Sequence, residues 1–122
     1  MMRVVHLFDL EPDVNEEDFL NWLDSRLESA TKQFGCLERH TWIFLSGFED
    51  SYFRQKSLGK GDRPRYVNEA YWPDVASADR FREWLTTSEE GRDLHDRWFG
   101  RIRNHTVLRY VEGWSKVRMT DG

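Results

Sequence analysis

The chain has 122 residues, of which 39% are hydrophobic and 33% charged, and its formal net charge is −4. This predicts one globular domain with a core of its own, and it argues against nucleic acid as the default partner because phosphate binding needs concentrated positive charge. No apolar run approaches the roughly 20 residues of a membrane helix, so no membrane partner is expected. No signal peptide is expected either, and the single Cys36 cannot form an internal disulfide, which predicts a cytoplasmic protein.

The first predicted elements are a strand and a long amphipathic helix. The strand runs from Arg3 to Leu10, and Asn15 is a good N-cap for the helix that follows, with acidic residues at 16–18 where the helix dipole favours them. Apolar residues then recur at steps of three and four over about five turns, and Gly35 is the expected stop. These apolar positions are Phe19, Trp22, Leu23, Leu27, Ala30 and Phe34.

Two further strands are predicted, Glu38–Leu45 and Arg65–Trp72, separated by a long connection. Residues 46–64 are too many for a simple hairpin loop, which predicts an ordered excursion or a flap. Residues 54–65 hold five basic residues against one acidic residue. That stretch is either a place to hold a carboxylate-bearing substrate or a solvated loop that assists dimerisation.

The second half predicts another helical stretch and a last strand. A helix begins near Ser77 or Ala78, and residues 87–90 match a capping box, so a new helix is expected there at a changed angle. It ends near Gly100, and Asn104–Val111 forms the fourth strand. Residues 1–113 are predicted to form the domain and residues 114–122 a loose tail.

A short motif occurs twice and indicates duplication. Pro-Asp-Val at 12–14, followed by Asp18, Phe19 and Trp22, recurs as Pro-Asp-Val at 73–75 with Asp79, Phe81 and Trp84. Each copy follows a strand and opens a helix, which is one βαβ unit built twice. The order βαββαβ predicts an α+β fold, a four-stranded antiparallel sheet with both helices on one face.

The strands are apolar on both faces, although a sheet with one wet face alternates apolar and polar residues. Apolar residues occupy consecutive positions, and therefore both faces, in the runs 4–8, 42–45 and 107–111. Two helices cover one face only, and a second copy of the same sheet is the simplest cover for the other. The chain is therefore predicted to be a homodimer that packs sheet against sheet.

The segment Glu69–Leu85 resembles the strand-to-helix segment of the dimeric α/β-barrel superfamily, whose ferredoxin-like protomers pair into a barrel. The resemblance implies a small-ligand pocket between the helices and the sheet of each protomer. Superfamily members include antibiotic-biosynthesis monooxygenase-like, EthD-like and polyketide cyclase-like proteins, haem-degrading enzymes, lactone isomerases and proteins of no known activity. The resemblance does not select a subfamily.

His95 is the predicted general base, because its helix flanks the expected pocket and an unperturbed histidine titrates near neutral pH. Trp98 and Trp84 are predicted pocket walls, with Asn68 or Tyr66 as an orienting group. The other interpretation is that each histidine is a hydrogen-bonded structural residue. Haem-degrading relatives pair such a histidine with a first-strand asparagine, and this first strand offers only Asp9, which argues against haem.

Further candidates for substrate binding lie on the strands. Candidates on the same strand are an even number of residues apart, so their side chains share one face of the sheet. The pattern does not say which face meets the helices. A mostly apolar pocket with a few polar groups suits a flat organic ligand, whereas the alternative is an aromatic core. These candidates are His6, His40, Trp42, Tyr66, Asn68 and Trp72.

The predicted function is a small-molecule pocket protein that is a cofactor-independent enzyme, an oxygenase, cyclase or isomerase, acting on an aromatic or polyketide-like substrate. No metal site is expected, because no Cys/His spacing fits zinc. The alternative is a non-catalytic protein of this fold used for ligand sensing or assembly. RNA-recognition motifs share the βαββαβ order, but residues 65–71 lack their glycines and place Glu69 centrally, which argues against RNA.

Overall fold

The computed structural model describes residues 1–52 and 54–113, so the predicted tail at 114–122 lies outside the described residues. Six strands and a series of helical segments follow one another along this part of the chain. In chain order they are β1 (Met2–Leu10), α1 (Glu16–Trp22), a π-helical turn (Leu23–Leu27), α2 (Glu28–Gln33), β2 (Glu38–Ile43), β3 (Gly47–Ser51), β4 (Arg54–Leu58), β5 (Tyr66–Trp72), α3 (Val75–Thr87), α4 (Glu89–Phe99) and β6 (Ile102–Val111).

Four of the strands form one antiparallel sheet in the order β2-β5-β1-β6. This confirms the predicted α+β fold, and the crossovers between β1 and β2 and between β5 and β6 carry the helices. Among the described residues, no helix is long and apolar enough to cross a membrane.

The two faces of the sheet alternate residue by residue. The even-numbered residues of β1 and β5 include Met2, Phe8, Tyr66 and Trp72, all at most 3% exposed, and they pack with the helices in the core. Odd-numbered residues of the same strands lie on the opposite side, which we call the outer face. The strand register therefore shows which face of the sheet meets the helices, a question that the apolar pattern of the sequence left open.

The outer face carries large apolar side chains that the described chain does not cover. Trp42 is 56% exposed, Leu108 is 38% exposed and Tyr110 is 49% exposed. Pairing of Trp42 with Val67 across the sheet places β2 and β5 side by side on this surface. Such a contiguous apolar surface is typical of an interaction site.

The first helical stretch is interrupted by a π-helical turn, which the apolar spacing did not predict. Asn15 is the N-cap, as predicted, and its Oδ1 accepts a hydrogen bond from Asp18 N at 3.0 Å. The π-helical turn widens the backbone, and Leu23 O accepts from both Glu28 N and an Arg39 side chain. Such turns are common at functional sites, and this one forms part of the wall described below.

The second helical stretch breaks where the capping box predicted, but both helix starts shift along the chain. Asp74 caps α3 by accepting from Ser77 N, so α3 begins at Val75 rather than near Ser77 or Ala78. Ser88, not Thr87, caps α4 by accepting from Gly91 N at 2.8 Å.

The duplicated motif keeps a duplicated contact. Phe19 stacks on Trp22 with ring centroids 6.1 Å apart, and Phe81 stacks on Trp84 at 6.0 Å. Both tryptophans are half-buried at the margin of the core. The predicted equivalence of the two helices therefore extends to this side-chain pair, although neither indole reaches the core centre.

The strand ends differ from the predicted ones by one or two residues. β2 ends at Ile43 rather than Leu45, β5 begins at Tyr66 rather than Arg65, and β6 begins at Ile102 rather than Asn104. The long connection contains a hairpin of β3 and β4, which pair with each other and not with the main sheet.

Gly91→Ala is expected to destabilise the protein, although alanine is the better helix former by about 1 kcal/mol. A Cβ at Gly91 would lie 2.0 Å from Trp84 O and 2.7 Å from Trp84 C, which is backbone of the preceding helix. Relieving that overlap requires α3 and α4 to separate, and overpacking of this kind costs about 1–3 kcal/mol or more. Urea unfolding measures the loss.

Gly59→Ala is the matched control, because a Cβ there meets only the Asp62 carboxylate at 3.9 Å. Its free energy of unfolding should stay near that of the wild type. Unchanged or increased stability of Gly91→Ala would contradict the close approach of α3 and α4 at this junction.

Candidate functional site

A cavity of about 440 Å³ lies between the helices and the inner face of the sheet. Two rows of registered residues form its floor, and each row crosses β2, β5, β1 and β6 in turn. One row is Arg39, Ala70, Val4 and Arg109. The adjacent row is Thr41, Asn68, His6 and Val107, of which Thr41 lies just outside the lining.

The remaining walls are mostly apolar and come from the helices. α3 and α4 contribute aromatic and aliphatic side chains, and the π-helical turn and α2 contribute Leu27 and Thr31. Trp98 is 3% exposed, and its indole N–H has no hydrogen-bond partner among the described residues. The helical wall residues are Ala78, Asp79, Phe81, Arg82, Leu85, Thr86, His95, Trp98 and Phe99.

His6 forms part of an aromatic cluster at one end of the cavity. Its Nδ1 lies 2.8 Å from His105 Nε2, so one of the two imidazoles donates to the other. The His6 ring also packs against Trp98, with centroids 4.6 Å apart. The Phe99 ring lies between the other two histidines of the cluster, with its centroid 4.7 Å from that of His105 and 4.3 Å from that of His95.

Burial, together with the charges of His105 and Arg39, lowers the pKa of His6 from 6.5 to about 3. Burial also lowers the pKa of His105, with a smaller contribution from His95. Desolvation disfavours the imidazolium, so both members of the hydrogen-bonded pair are neutral at neutral pH. A neutral His6 can donate or accept one hydrogen bond but is a weak base.

His95 occupies a different environment on the same wall. Its side chain is 35% exposed, and its Nδ1 lies 3.4 Å from Asp96 Oδ1, at the limit of a hydrogen bond. The helix break at Ser88 separates it from Trp84 on α3, and the His95 ring packs on Phe99 of its own helix.

Arg39 and Asn68 form a polar network at the floor. Arg39 Nη1 donates to Leu23 O at 3.2 Å, and Arg39 Nη2 donates to Asn68 Oδ1 at 3.1 Å. Asn68 Nδ2 donates to Thr41 Oγ1 at 2.8 Å, and Asn68 is only 1% exposed. The orientation of the Asn68 amide is consistent with both of its bonds, and the two bonds that Arg39 donates hold the guanidinium in one position.

Burial lowers the pKa of Arg39, but an arginine remains protonated in a protein. A second arginine on the floor, Arg109, is compensated, because its Nη2 lies 2.7 Å from Asp79 Oδ1. Arg109 is thus neutralised within the cavity. No carboxylate of the described residues lies within ion-pair distance of Arg39, on which Glu28 and Asp24 act only at longer range.

The structure brings five of the predicted site residues to this cavity. His95 and Trp98 come from α4, His6 from β1, and Asn68 and Trp72 from β5. Because β1 and β5 are neighbours in the sheet, His6 and Asn68 are directly paired.

The other four predicted site residues do not line the cavity. His40 and Trp42 lie on the outer face, because the residue between them, Thr41, faces the helices. Tyr66 lies in the core against Phe8, with its hydroxyl donating to Glu16. Trp84 lies on the far side of α3 from the cavity, where it packs on Phe34 with centroids 5.4 Å apart.

Sequence reasoning missed Arg39, Arg109 and His105. Arg39 lies in the predicted strand Glu38–Leu45, one residue before the candidate His40, so the two side chains point to opposite faces of the sheet. With both strand faces apolar, only the register of β2 on β5 shows that Arg39 points inward. Among the described residues, no cluster of three or more His, Cys, Asp or Glu side chains is arranged to hold a metal ion.

No protein-family model matches this sequence, and no curated protein is significantly similar to it. Solved structures do match over nearly the whole chain. Hydroxynitrile lyase from Passiflora edulis is 12% identical, with a TM-score of 0.64 over 93% of this chain and 94% of the lyase. An antibiotic biosynthesis monooxygenase is 19% identical, with a TM-score of 0.51 over 93% of this chain and 99% of that chain.

A third match is a dimeric ferredoxin-like protein from an uncultured marine organism, which is 14% identical with a TM-score of 0.53. It covers 93% of this chain, and the match spans 95% of that one. Similarity at this level of identity shows the fold. The chain therefore has a ferredoxin-like fold, as predicted, and the comparisons assign no subfamily.

Proposed function

We propose that the protein binds a small aromatic or polyketide-like molecule in this cavity and acts on it as a cofactor-independent enzyme. The observation that carries the proposal is the 440 Å³ space between sheet and helices, lined mainly by apolar and aromatic side chains with a few fixed polar groups. This composition is typical of sites for flat organic ligands. Proteins of the same fold include a monooxygenase and a lyase, which supports an enzymatic role.

His95 is the general base in this proposal. A base works best when its pKa is near the operating pH, and the pKa of about 3 makes His6 too weak for that role at neutral pH. His95 lines the same cavity, is partly open to solvent and can pass a proton outward. His6 and Asn68 then position the substrate, and Trp72 and Trp98 form the aromatic walls.

Oxygenation, cyclisation and isomerisation on such substrates all begin by removing a proton next to a carbonyl or on a phenol. A simple probe of this step is 2-tetralone, a flat aromatic ketone with exchangeable α-protons. We expect the protein to accelerate its deuterium exchange in D₂O, followed by NMR, by about 10²-fold or more over buffer, which is the usual range of general base catalysis. His95→Gln should abolish most of the acceleration.

His40→Gln is the matched control for loss of an imidazole outside the cavity, and sedimentation velocity checks that this outer-face variant keeps the wild-type assembly. It should exchange at the wild-type rate. Full activity in His95→Gln would exclude His95 as the base. Binding of 2-tetralone with no acceleration would favour the alternative, a ligand-sensing or assembly protein.

The active assembly is a homodimer in this proposal, with the two outer faces packed together. Three large apolar side chains on this face are between 38% and 56% exposed in the protomer. One of the structures with a similar fold, from an uncultured marine organism, is a dimeric protein. Sheet-on-sheet packing buries such residues, and a stable interface of this type buries about 1,600 Å² in total. The lone Cys36 suits a reducing compartment, which supports a cytoplasmic location in this proposal.

A further inference from the structure

Arg39 is a charged group on the wall of an apolar cavity, and no carboxylate among the described residues pairs with it. Arg109, in the same cavity, is paired with Asp79. Arg82 also lines the cavity, but it is an exposed residue of α3. An unpaired charge in an apolar site is costly unless something compensates it. Neutral oxygens of Leu23 and Asn68 are its hydrogen-bond acceptors.

The geometry leaves part of the guanidinium free to bind. Of the five N–H groups that an arginine carries, Leu23 O and Asn68 Oδ1 accept one each. The hydrogen bonds that Arg39 donates to Asn68 Oδ1 and to Leu23 O of the π-helical turn hold its guanidinium in place. Asn68 and Leu23 are therefore positioning groups. The guanidinium itself lines the cavity.

We propose that the ligand of this cavity carries a carboxylate, and that Arg39 binds it at the floor while the apolar body lies against Trp72 and Trp98. The inference rests on the proposed function, since it names the substrate class of the same site. A planar guanidinium matches a carboxylate in shape and charge, and charge-assisted bonds of this kind are about twice as strong as neutral ones.

A carboxylate fits the charges of the cavity better than a phosphate does. Arg109 is already paired with Asp79, so Arg39 is the cation of the floor that has no ion-pair partner among the described residues, and one carboxylate is enough to pair with it. A phosphate dianion would bring a second charge into a mostly apolar space. The basic stretch at 54–65, considered from sequence as a carboxylate site, contributes no residue to the cavity, because its β4 strand pairs only with β3.

Two nearly isosteric probes separate charge from shape. Naphthalene-2-carboxylate and naphthalene-2-carboxamide differ in the group presented to Arg39, and titration calorimetry on the full chain measures both dissociation constants. We expect the wild type to bind the carboxylate at least tenfold more tightly than the carboxamide, as one charge-assisted hydrogen bond suffices for that difference. Arg39→Met should remove the preference while carboxamide binding changes by less than about threefold.

Arg26→Met is the matched control, since Arg26 is an exposed arginine of the π-helical turn outside the cavity. It should keep the wild-type preference. Loss of the preference in Arg82→Met instead, at the helical wall, would overturn the assignment to Arg39. Equal binding of both probes by the wild type would overturn the carboxylate inference but leave the pocket intact. If neither probe binds, the proposed aromatic-ligand function fails as well.

Arg39→Met removes two hydrogen bonds, so its folding is checked by circular dichroism. If it does not fold, a crystal structure of the wild type with naphthalene-2-carboxylate decides. A carboxylate oxygen within hydrogen-bond distance of the Arg39 guanidinium supports the inference. A carboxylate facing solvent, with the rings at the floor, overturns it.

Discussion

Val67→Glu is expected to convert the proposed homodimer into 14.7 kDa protomers or into an aggregate. Val67 lies in β5, a central strand of the sheet, and its neighbours across the ladder are Leu7 and Trp42. All three lie on the outer face. In the proposed dimer, a glutamate here would be buried without a partner and close to its own copy, so we expect the dimer dissociation constant to rise by about 10²-fold or more.

The measurement is sedimentation velocity at micromolar protomer concentration. Val75→Glu is the control, because Val75 is 41% exposed and begins α3 away from the outer face. An acid in the first helical turn is favourable, so this variant should remain folded and dimeric. A well-folded monomeric wild type under these conditions would contradict the homodimer directly.

The fold was predictable because its signals are local and repeated. The Pro-Asp-Val motif marked both strand-to-helix turns, and Asn15 was correctly identified as a cap. The break near Ser88 was also readable as a capping box, one residue out of register. By contrast, the sequence contains no signal for the π-helical turn at Leu23–Leu27, because a spacing of three and four between apolar residues is compatible with one extra residue in a turn.

The site was only partly predictable, for a physical reason that concerns the sheet. A period of two says which strand residues share a face, but it identifies the covered face only when the other face is polar. Here both are apolar, so His40 and Arg39 were equally eligible, and the register of β2 on β5 decides between them. His95 and Trp98 lie on a helix, whose apolar stripe has one direction, and both side chains line the cavity.

The link between site and fold is clearest at Gly91. The close approach of its backbone to Trp84 O sets the angle between α3 and α4, and α4 carries His95 and Trp98 to the cavity. Sequence alone shows a glycine inside a helix pattern, which is an unfavourable choice by propensity. The contact explains that choice, since any side chain there would collide with the preceding helix.

Acid is expected to destabilise the protein through His6 by about 2–3 kcal/mol between pH 7 and pH 4.5. Burial, His105 and Arg39 lower the pKa of His6 from 6.5 to about 3 in the folded state. In the unfolded chain His6 takes up a proton as the pH falls through 6.5, whereas the folded protein stays neutral until about pH 3. The unfolded state therefore binds more protons across this window, and the folded state loses stability as the pH falls.

The test compares free energies of unfolding by urea at pH 7 and pH 4.5 for the wild type and His6→Gln at equal protomer concentration. Acid titration of the carboxylates is common to both proteins and cancels in the difference, so the variant should show a pH dependence smaller by about 2–3 kcal/mol. His105→Gln should also reduce it, because His105 contributes to the lowered pKa of His6. An identical pH dependence in wild type and His6→Gln would mean that His6 has the same pKa in the folded and unfolded states and is not shifted to about 3. It would then compete with His95 as the base, because both imidazoles line the same cavity.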